Sequence, residues 1–215
     1  MRRFDGGLFT AADATQRELE MLPRLFQDAG LRATADKGIG ILQGKGVGGS
    51  TLHNTGLVHD PPEAILHRWR LEHGFPYDDA ALAPLIRHVR ETLGATRIPE
   101  SGINPNNDAM RRGAEALGWS YRVADHNRDE CSGCGYCVLG CAYNRKRNAA
   151  LTWVARSKAA GARVLCHAPA MRIEGPAGAR RVVCRRKGPN WADGGEIVIE
   201  AEAVVVAAGA LDTPA

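Results

Sequence analysis

Apolar positions recur at helical spacing through the first two-thirds of the chain and at strand spacing through the last third. In residues 10–29, Leu19, Leu22, Leu25 and Phe26 fall three or four apart, on one face of a helix. Gly30 follows, where a helix C-terminal glycine would stand. Residues 38–43 read as a short strand running into glycines. Residues 62–72 predict a helix with Ile65, Leu66 and Trp69 on one side, and Pro61 and Pro62 suit its start. Residues 77–93 predict another, capped by Asp78 or Asp79. The stretch 101–107 is rich in Asn, Gly and Pro and reads as a loop. It leads into a helix over 107–117 closed by Gly118, and a further helix over 148–160 ends at Gly161.

After Gly161 the period changes, and residues 163–167, 171–174, 181–186, 196–200 and 203–207 read as strands. The last is an unbroken apolar run, Ala203-Val204-Val205-Val206-Ala207, the pattern of a strand covered on both faces in a parallel sheet. Ala208-Gly209-Ala210 follow it, small residues where open α/β sheets bring backbone close to a ligand. That strand and its small-residue end fit an α/β fold with helices covering a parallel sheet, and no internal repeat or low-complexity tract appears.

Composition adds little to this picture. The 215 residues are 44% hydrophobic and 24% charged, ordinary for a folded domain. The net charge of +4 is scattered, with short basic clusters at 145–147 and 180–187 that read as solvated surface. Aromatics are only 6%, so no basic stripe with interleaved rings points to nucleic acid. No apolar run approaches the ~18 residues of a membrane span, and the Met-Arg-Arg start lacks the apolar stretch of a signal peptide. Cytoplasmic residence is the default expectation.

The most informative local feature is Gly44-Lys45-Gly46-Val47-Gly48-Gly49-Ser50-Thr51. Glycines at this density let the backbone reach positive φ and approach a ligand without a Cβ clash. Backbone N–H groups in such loops can gather around phosphate oxygens. The lysine stands in the wrong place for a Walker A loop. Gly44, Gly46 and Gly49 satisfy a bare G-x-G-x-x-G, but the following Leu52-His53-Asn54-Thr55-Gly56 does not read as the helix which that motif requires.

The segment through Asn54 resembles the G-x-x-V-G-G-S-S/T-x-x-N segment of the glucose–methanol–choline oxidoreductases. The terminal Val204-Val205-Val206-Ala207-Ala208-Gly209-Ala210-Leu211-Asp212-Thr213-Pro214 is similar to a second segment of that family, and residues 164–173 to a strand pair between them. The likeness is nearest the long-chain alcohol oxidase and cholesterol-oxidase-like branches. It implies an incomplete FAD-binding, Rossmann-like α/β domain with a helical segment and a cysteine-rich loop. Residues 1–60 and 145–215 would form the cofactor cradle and 61–144 an insertion. It implies FAD contacts at Gly46, Val47, Gly48, Gly49, Ser50, Thr51, Asn54, Thr55 and Gly56, an adenine contact at Ala170, and further contacts at Ala208 and Gly209. The implied reaction is oxidation of the CH–OH group of an alcohol, sterol or sugar-type donor by hydride transfer to flavin, with oxygen, a quinone or a cytochrome as final acceptor.

The same resemblance sets the family's dinucleotide turn before, and its catalytic histidine after, the part this chain covers. None of His53, His59, His67, His73, His88, His126 and His167 matches the catalytic position, and all read as surface or packing residues. The chain alone is therefore expected to bind FAD weakly or not at all and to be inactive.

Four of the six cysteines crowd into one run, Cys131-x2-Cys134-x2-Cys137-x3-Cys141, with the spacing of a bacterial ferredoxin segment but Ala142 where proline usually stands. An iron–sulfur cluster, a structural zinc and a loop of reduced thiols are all compatible with that spacing. Some sugar-oxidising relatives in the family carry such a cluster. Cys166 and Cys184 sit on predicted strands and are expected to pack in the core. Two other readings stay open: an iron–sulfur electron-transfer module, and a folded remnant without activity.

Overall fold

The computed structural model describes residues 14–188 and 192–214. Residues 10–13 of the first predicted helix, and Ala215, lie outside the described residues. The chain divides after Ala162 into two compact units.

In the first unit, helix α1 spans Glu18–Leu25. Met21 and Leu25, one turn apart, are fully buried, while Leu19 is 91% exposed and takes no part in the core. The helix stops earlier than its apolar pattern predicts. Phe26 turns extended and bridges to Gly44, and the Gln27 N–H donates to the Gln43 carbonyl at 2.9 Å. The strand predicted over 38–43 is not formed. The segment makes only isolated bridges, Ala33 with Gly40 and Phe26 with Gly44, and Ile39 and Leu42 are exposed. It runs beside residues 26–34 and exchanges single backbone bonds with them, such as Ile41 N–H to the Arg32 carbonyl at 2.8 Å, but no continuous ladder forms.

Helix α2, Glu63–His73, ends on Gly74 in the left-handed conformation. Helix α3, Asp79–Leu93, is capped by the Asp78 carboxylate, which accepts from the Ala81 N–H at 2.8 Å, and closes on Gly94. Helix α4, Pro105–Ala116, starts two residues before the predicted 107. Asn104 caps the Asn107 N–H at 2.9 Å, and Pro105 takes the first turn, where its missing N–H costs nothing. The helix predicted over 148–160 begins as a π-turn, Ala150–Val154, and continues as helix α5, Ala155–Ala159.

Three two-residue strands, β1 (Leu57–Val58), β2 (Thr96–Arg97) and β3 (Asp125–His126), form a small antiparallel sheet with β3 in the centre. Arg90 of α3 ties that sheet to the helices, reaching Asp60 at 3.0 Å and Asp125 at 2.5 Å. The pairing holds the Asp125 carboxyl below its ordinary value. The core of the unit is Met21, Leu25, Phe26, Leu52 and Leu139, so α1 packs against the glycine segment and the cysteine run together.

The second unit is an antiparallel meander of β4 (Ala170–Glu174), β5 (Arg180–Lys187) and β6 (Asp193–Ala201), followed by the short helix α6, Gly209–Asp212. Val183 faces Val198, and Cys184 faces Ile197; Val183 and Cys184 are buried. Two sequence expectations are corrected here. Residues 163–167 form no strand, so Cys166 is only half-buried. Residues 203–207 form no strand either: they pair with no described segment, and Val205 is 89% exposed. A strand buried in a parallel sheet needs partners on both edges, and the sheet described here is antiparallel. The chain as a whole is mixed α and β. No helix among the described residues is long and apolar enough to cross a membrane.

Because Leu25 is fully buried in this core, Leu25→Ala is expected to destabilise the protein by about 2–5 kcal/mol in urea unfolding, with the loss read from the transition midpoint.

Candidate functional site

The glycine segment closes into a ring. The Gly44 N–H donates to Ser50 Oγ at 2.9 Å, and the Lys45 N–H donates to the Leu25 carbonyl at 2.7 Å. A Cβ on Gly44 would lie 2.5 Å from Ser50 N and 2.6 Å from His53 Nε2, so only glycine lets the ends meet. Gly46, Gly48 and Gly49 all have positive φ, and the Gly49 N–H returns to the Gly46 carbonyl at 2.9 Å. A 3-10 turn, Gly49–Leu52, follows. The N–H groups of Gly46, Val47 and Gly48 find no acceptor among the described residues. Three consecutive unpaired donors on glycine-rich backbone match the oxygens of a phosphate or pyrophosphate. By this measure the ring fits the phosphate end of a dinucleotide cofactor such as FAD.

The ring is held from the far side of the sequence. Thr51 Oγ1 donates to the Gly48 carbonyl at 2.5 Å and accepts from the Ala149 N–H at 2.9 Å. Lys146, only 1% exposed, sends Nζ to three carbonyls: Leu52 at 2.8 Å, Asn54 at 2.7 Å and Cys137 at 2.8 Å. Burial pushes this ammonium down to about 8, with Arg128 acting the same way and the Cys137 and Cys141 sulfurs opposing. The lysine thus fixes the exit of the ring to the cysteine run.

Beside it, His53 is buried and its ring lies against Phe26, with centroids 4.0 Å apart. Burial, then the Lys146 charge, push its pKa down to about 4. Its Nε2 is buried without a partner. Asn54 and Thr55 are exposed at the ring's exit, and Asn54 Oδ1 accepts from the Gly56 N–H at 3.2 Å. Gly56 is buried with positive φ, and a Cβ there would meet Asn127 Oδ1 at 2.7 Å.

The structure therefore brings Gly46, Val47, Gly48, Gly49, Ser50, Thr51, Asn54, Thr55 and Gly56 together on one loop and divides them by role. The first three carry open donors, whereas Thr51 and Gly56 have their polar groups committed to the chain itself. Ala170 lies at the start of β4, paired with Cys184, and Ala208 and Gly209 lie at the start of α6.

The four cysteines of the run differ in exposure and in partners. Cys131 and Cys134 are exposed, and Cys137 and Cys141 half-buried. Each sulfur with a partner sits in its own turn: the Gly133 N–H donates to Cys131 Sγ at 3.5 Å, and the Arg145 N–H to Cys141 Sγ at 3.2 Å. Between them Leu139 is drawn into the core, and the Cys137 carbonyl is drawn to Lys146. Among the described residues no three His, Cys, Asp or Glu side chains are gathered to hold a metal ion. The iron–sulfur expectation at Cys131, Cys134, Cys137 and Cys141 finds no support in this arrangement.

A family model described as GMC oxidoreductase matches residues 22–215. The chain belongs to the GMC oxidoreductase family. Among curated GMC relatives, it is 33% identical over 192 residues to an uncharacterized GMC-type oxidoreductase of Mycobacterium tuberculosis (strain ATCC 25618 / H37Rv), covering 88% of this chain and 30% of that protein. It is 27% identical over 218 residues to a long-chain-alcohol oxidase of Arabidopsis thaliana, covering 97% and 29%. It is 26% identical over 215 residues to an uncharacterized GMC-type oxidoreductase of Sinorhizobium fredii (strain NBRC 101917 / NGR234), covering 98% and 42%. The chain thus spans about a third of the length of the curated relatives it matches.

For this GMC chain the residue that sequence reasoning missed is Lys146. The basic cluster at 145–147 reads as solvated surface, and Arg145 is exposed. The segment, however, is extended: Lys146 bridges to Arg128, and the Arg147 N–H donates to the Asn127 carbonyl at 2.9 Å. Alternation along extended backbone turns the middle cation inward.

Two outcomes are expected. Lys146→Met leaves the buried Leu52 carbonyl and the part-buried Asn54 and Cys137 carbonyls without their donor and should cost at least ~2 kcal/mol of stability in urea unfolding. For His53, the folded value is about 4 against an ordinary 6.5. Between those values the unfolded chain takes up a proton that the folded chain refuses, so stability rises with pH across the window and is lost as pH falls toward 4. His53→Phe is expected to flatten the slope of stability against pH in that window. The remaining slope belongs in part to His126, which burial also lowers.

Proposed function

We propose that the protein supplies the cofactor-cradling part of an FAD-dependent oxidoreductase acting on the CH–OH group of an alcohol. The observation that carries this reading is the run of unpaired N–H groups at Gly46, Val47 and Gly48 on a ring closed by the Gly44–Ser50 hydrogen bond. Backbone donors at these residues hold phosphate oxygens of the cofactor, and Gly49 and Ser50, whose own bonds close the turn, shape the loop around it. Asn54 and Thr55, exposed at the ring's exit, stand toward the flavin end. Thr51, Gly56 and Lys146 keep the ring in shape. For the second unit, cofactor contacts at Ala170, Ala208 and Gly209 rest on the family resemblance alone. Residues 61–144 are an insertion in this reading. Bound flavin supplies a two-electron acceptor for the hydride of the alcohol carbon. The name of the Arabidopsis relative, a long-chain-alcohol oxidase, supports an alcohol as donor.

The test is a titration of FAD into the protein, followed by quenching of flavin fluorescence. Gly48 has φ of 104°, and a Cβ there would lie 3.1 Å from Ala150 N. Gly48→Ala should therefore shift the ring and weaken FAD binding at least tenfold, about 1.4 kcal/mol. An affinity in the variant equal to that of the unsubstituted protein would overturn the assignment.

A further inference from the structure

Arg128 follows β3 and is half-buried. Its Nε is buried with no hydrogen-bond partner, and its guanidinium makes no ion pair among the described residues. The carboxylates near it in sequence are engaged elsewhere. Asp125 binds Arg90 and Arg97, Glu130 binds Arg145 at 2.5 Å, and Asp129 lies 3.9 Å from Arg147. The backbone around Arg128 is fixed, because its N–H donates to His126 Nδ1 at 2.9 Å. Its stem lies where a Cβ on Gly56 would touch it, at 3.4 Å. The charge is felt nearby, since Arg128 helps to lower both Lys146 and His126.

Two cavities, of about 530 Å³ and about 470 Å³, are both lined by Arg128. They also share Ile98, Gly102, Ile103 and Asn107. Asn104 and Pro105, at the N-terminus of the twelve-residue helix α4, line the first, so the positive end of the helix dipole adds to the arginine. The first cavity is also walled by the cysteine run, where Gly133 and Gly135 leave open space at their Cβ positions. Met110 lines the second. A partly desolvated guanidinium without a counter-charge is costly, and its planar fork suits two anionic oxygens.

We propose that Arg128 is the anchor of a binding site for a small organic anion, with a carboxylate or phosphate head on the guanidinium and an apolar body against Ile98, Ile103 and Met110. None of the residues with open N–H groups in the glycine ring lines either cavity, so the site is separate from the proposed phosphate donors, although Lys146 borders the first cavity.

Alkylation of Cys131 and Cys134 by iodoacetamide reports on occupancy, because both thiols are exposed and line the first cavity. Inorganic phosphate and hexanoate are the probes, and the rates are followed by mass spectrometry. At least one of them is expected to slow alkylation threefold or more, with phosphate and hexanoate distinguishing the two heads. Arg128→Met should abolish the protection. Arg128→Lys, which keeps the charge and loses the fork, should weaken it and serves if the methionine variant does not fold. Unchanged rates with both probes, or equal protection in the folded variants, would sink the proposal. Saturating FAD should leave the probe's effect intact. If FAD alone gives the protection and the probe adds nothing, the anion is the cofactor's own phosphate and the separate site is refuted.

Discussion

A single buried ammonium organises the first unit. Lys146 Nζ satisfies carbonyls from the end of the glycine segment and from the middle of the cysteine run, which lie far apart in sequence. Backbone carbonyls that leave water need donors, and no regular ladder supplies them here. The lysine takes the place of a strand. Its charge also sets local chemistry: it helps to keep His53 neutral and is itself held near 8 by burial and Arg128.

Around that contact the packing is economical. One side of α1, extended by Phe26, covers Leu52 from the glycine turn and Leu139 from the cysteine run, so a short helix stabilises both loops. The cysteine run is better understood through this packing than through its sulfurs. Its glycines bend the chain so that Leu139 and the Cys137 carbonyl point inward, and the thiols remain at or near the surface. The spacing of the four cysteines is compatible with a cluster, but the side chains between them decide which way the backbone faces.

Local signals were the legible part of the sequence. The cap at Asp78, the closing Gly118 and the apolar face of α2 are read within a few residues of chain, and the structure forms α2, α3 and α4 close to the predicted places. The meander β4–β6 was legible for the same reason. The misses were non-local. Residues 38–43 and 203–207 have strand-like composition, but a strand is defined by its neighbours, and those depend on distant segments. The glycine loop declared itself through composition and family resemblance. The residue that holds it, Lys146, sat in a basic triplet that looked like surface, because the bridge turning it inward is made with Arg128. Nothing within a short window could have separated it from Arg145.

The closure of the ring at Gly44 and Ser50 bears on how fast a ligand could be captured. A loop that must fold around its guest loses conformational freedom at the moment of binding, and association slows while it searches. Here the ring is shut by hydrogen bonds and packing made within the chain itself, and the open donors are consecutive along it. Encounter then needs orientation of the incoming molecule only. Such a loop behaves as a fixed template, and its selectivity is set by shape and charge at first contact, with little room for adjustment afterwards.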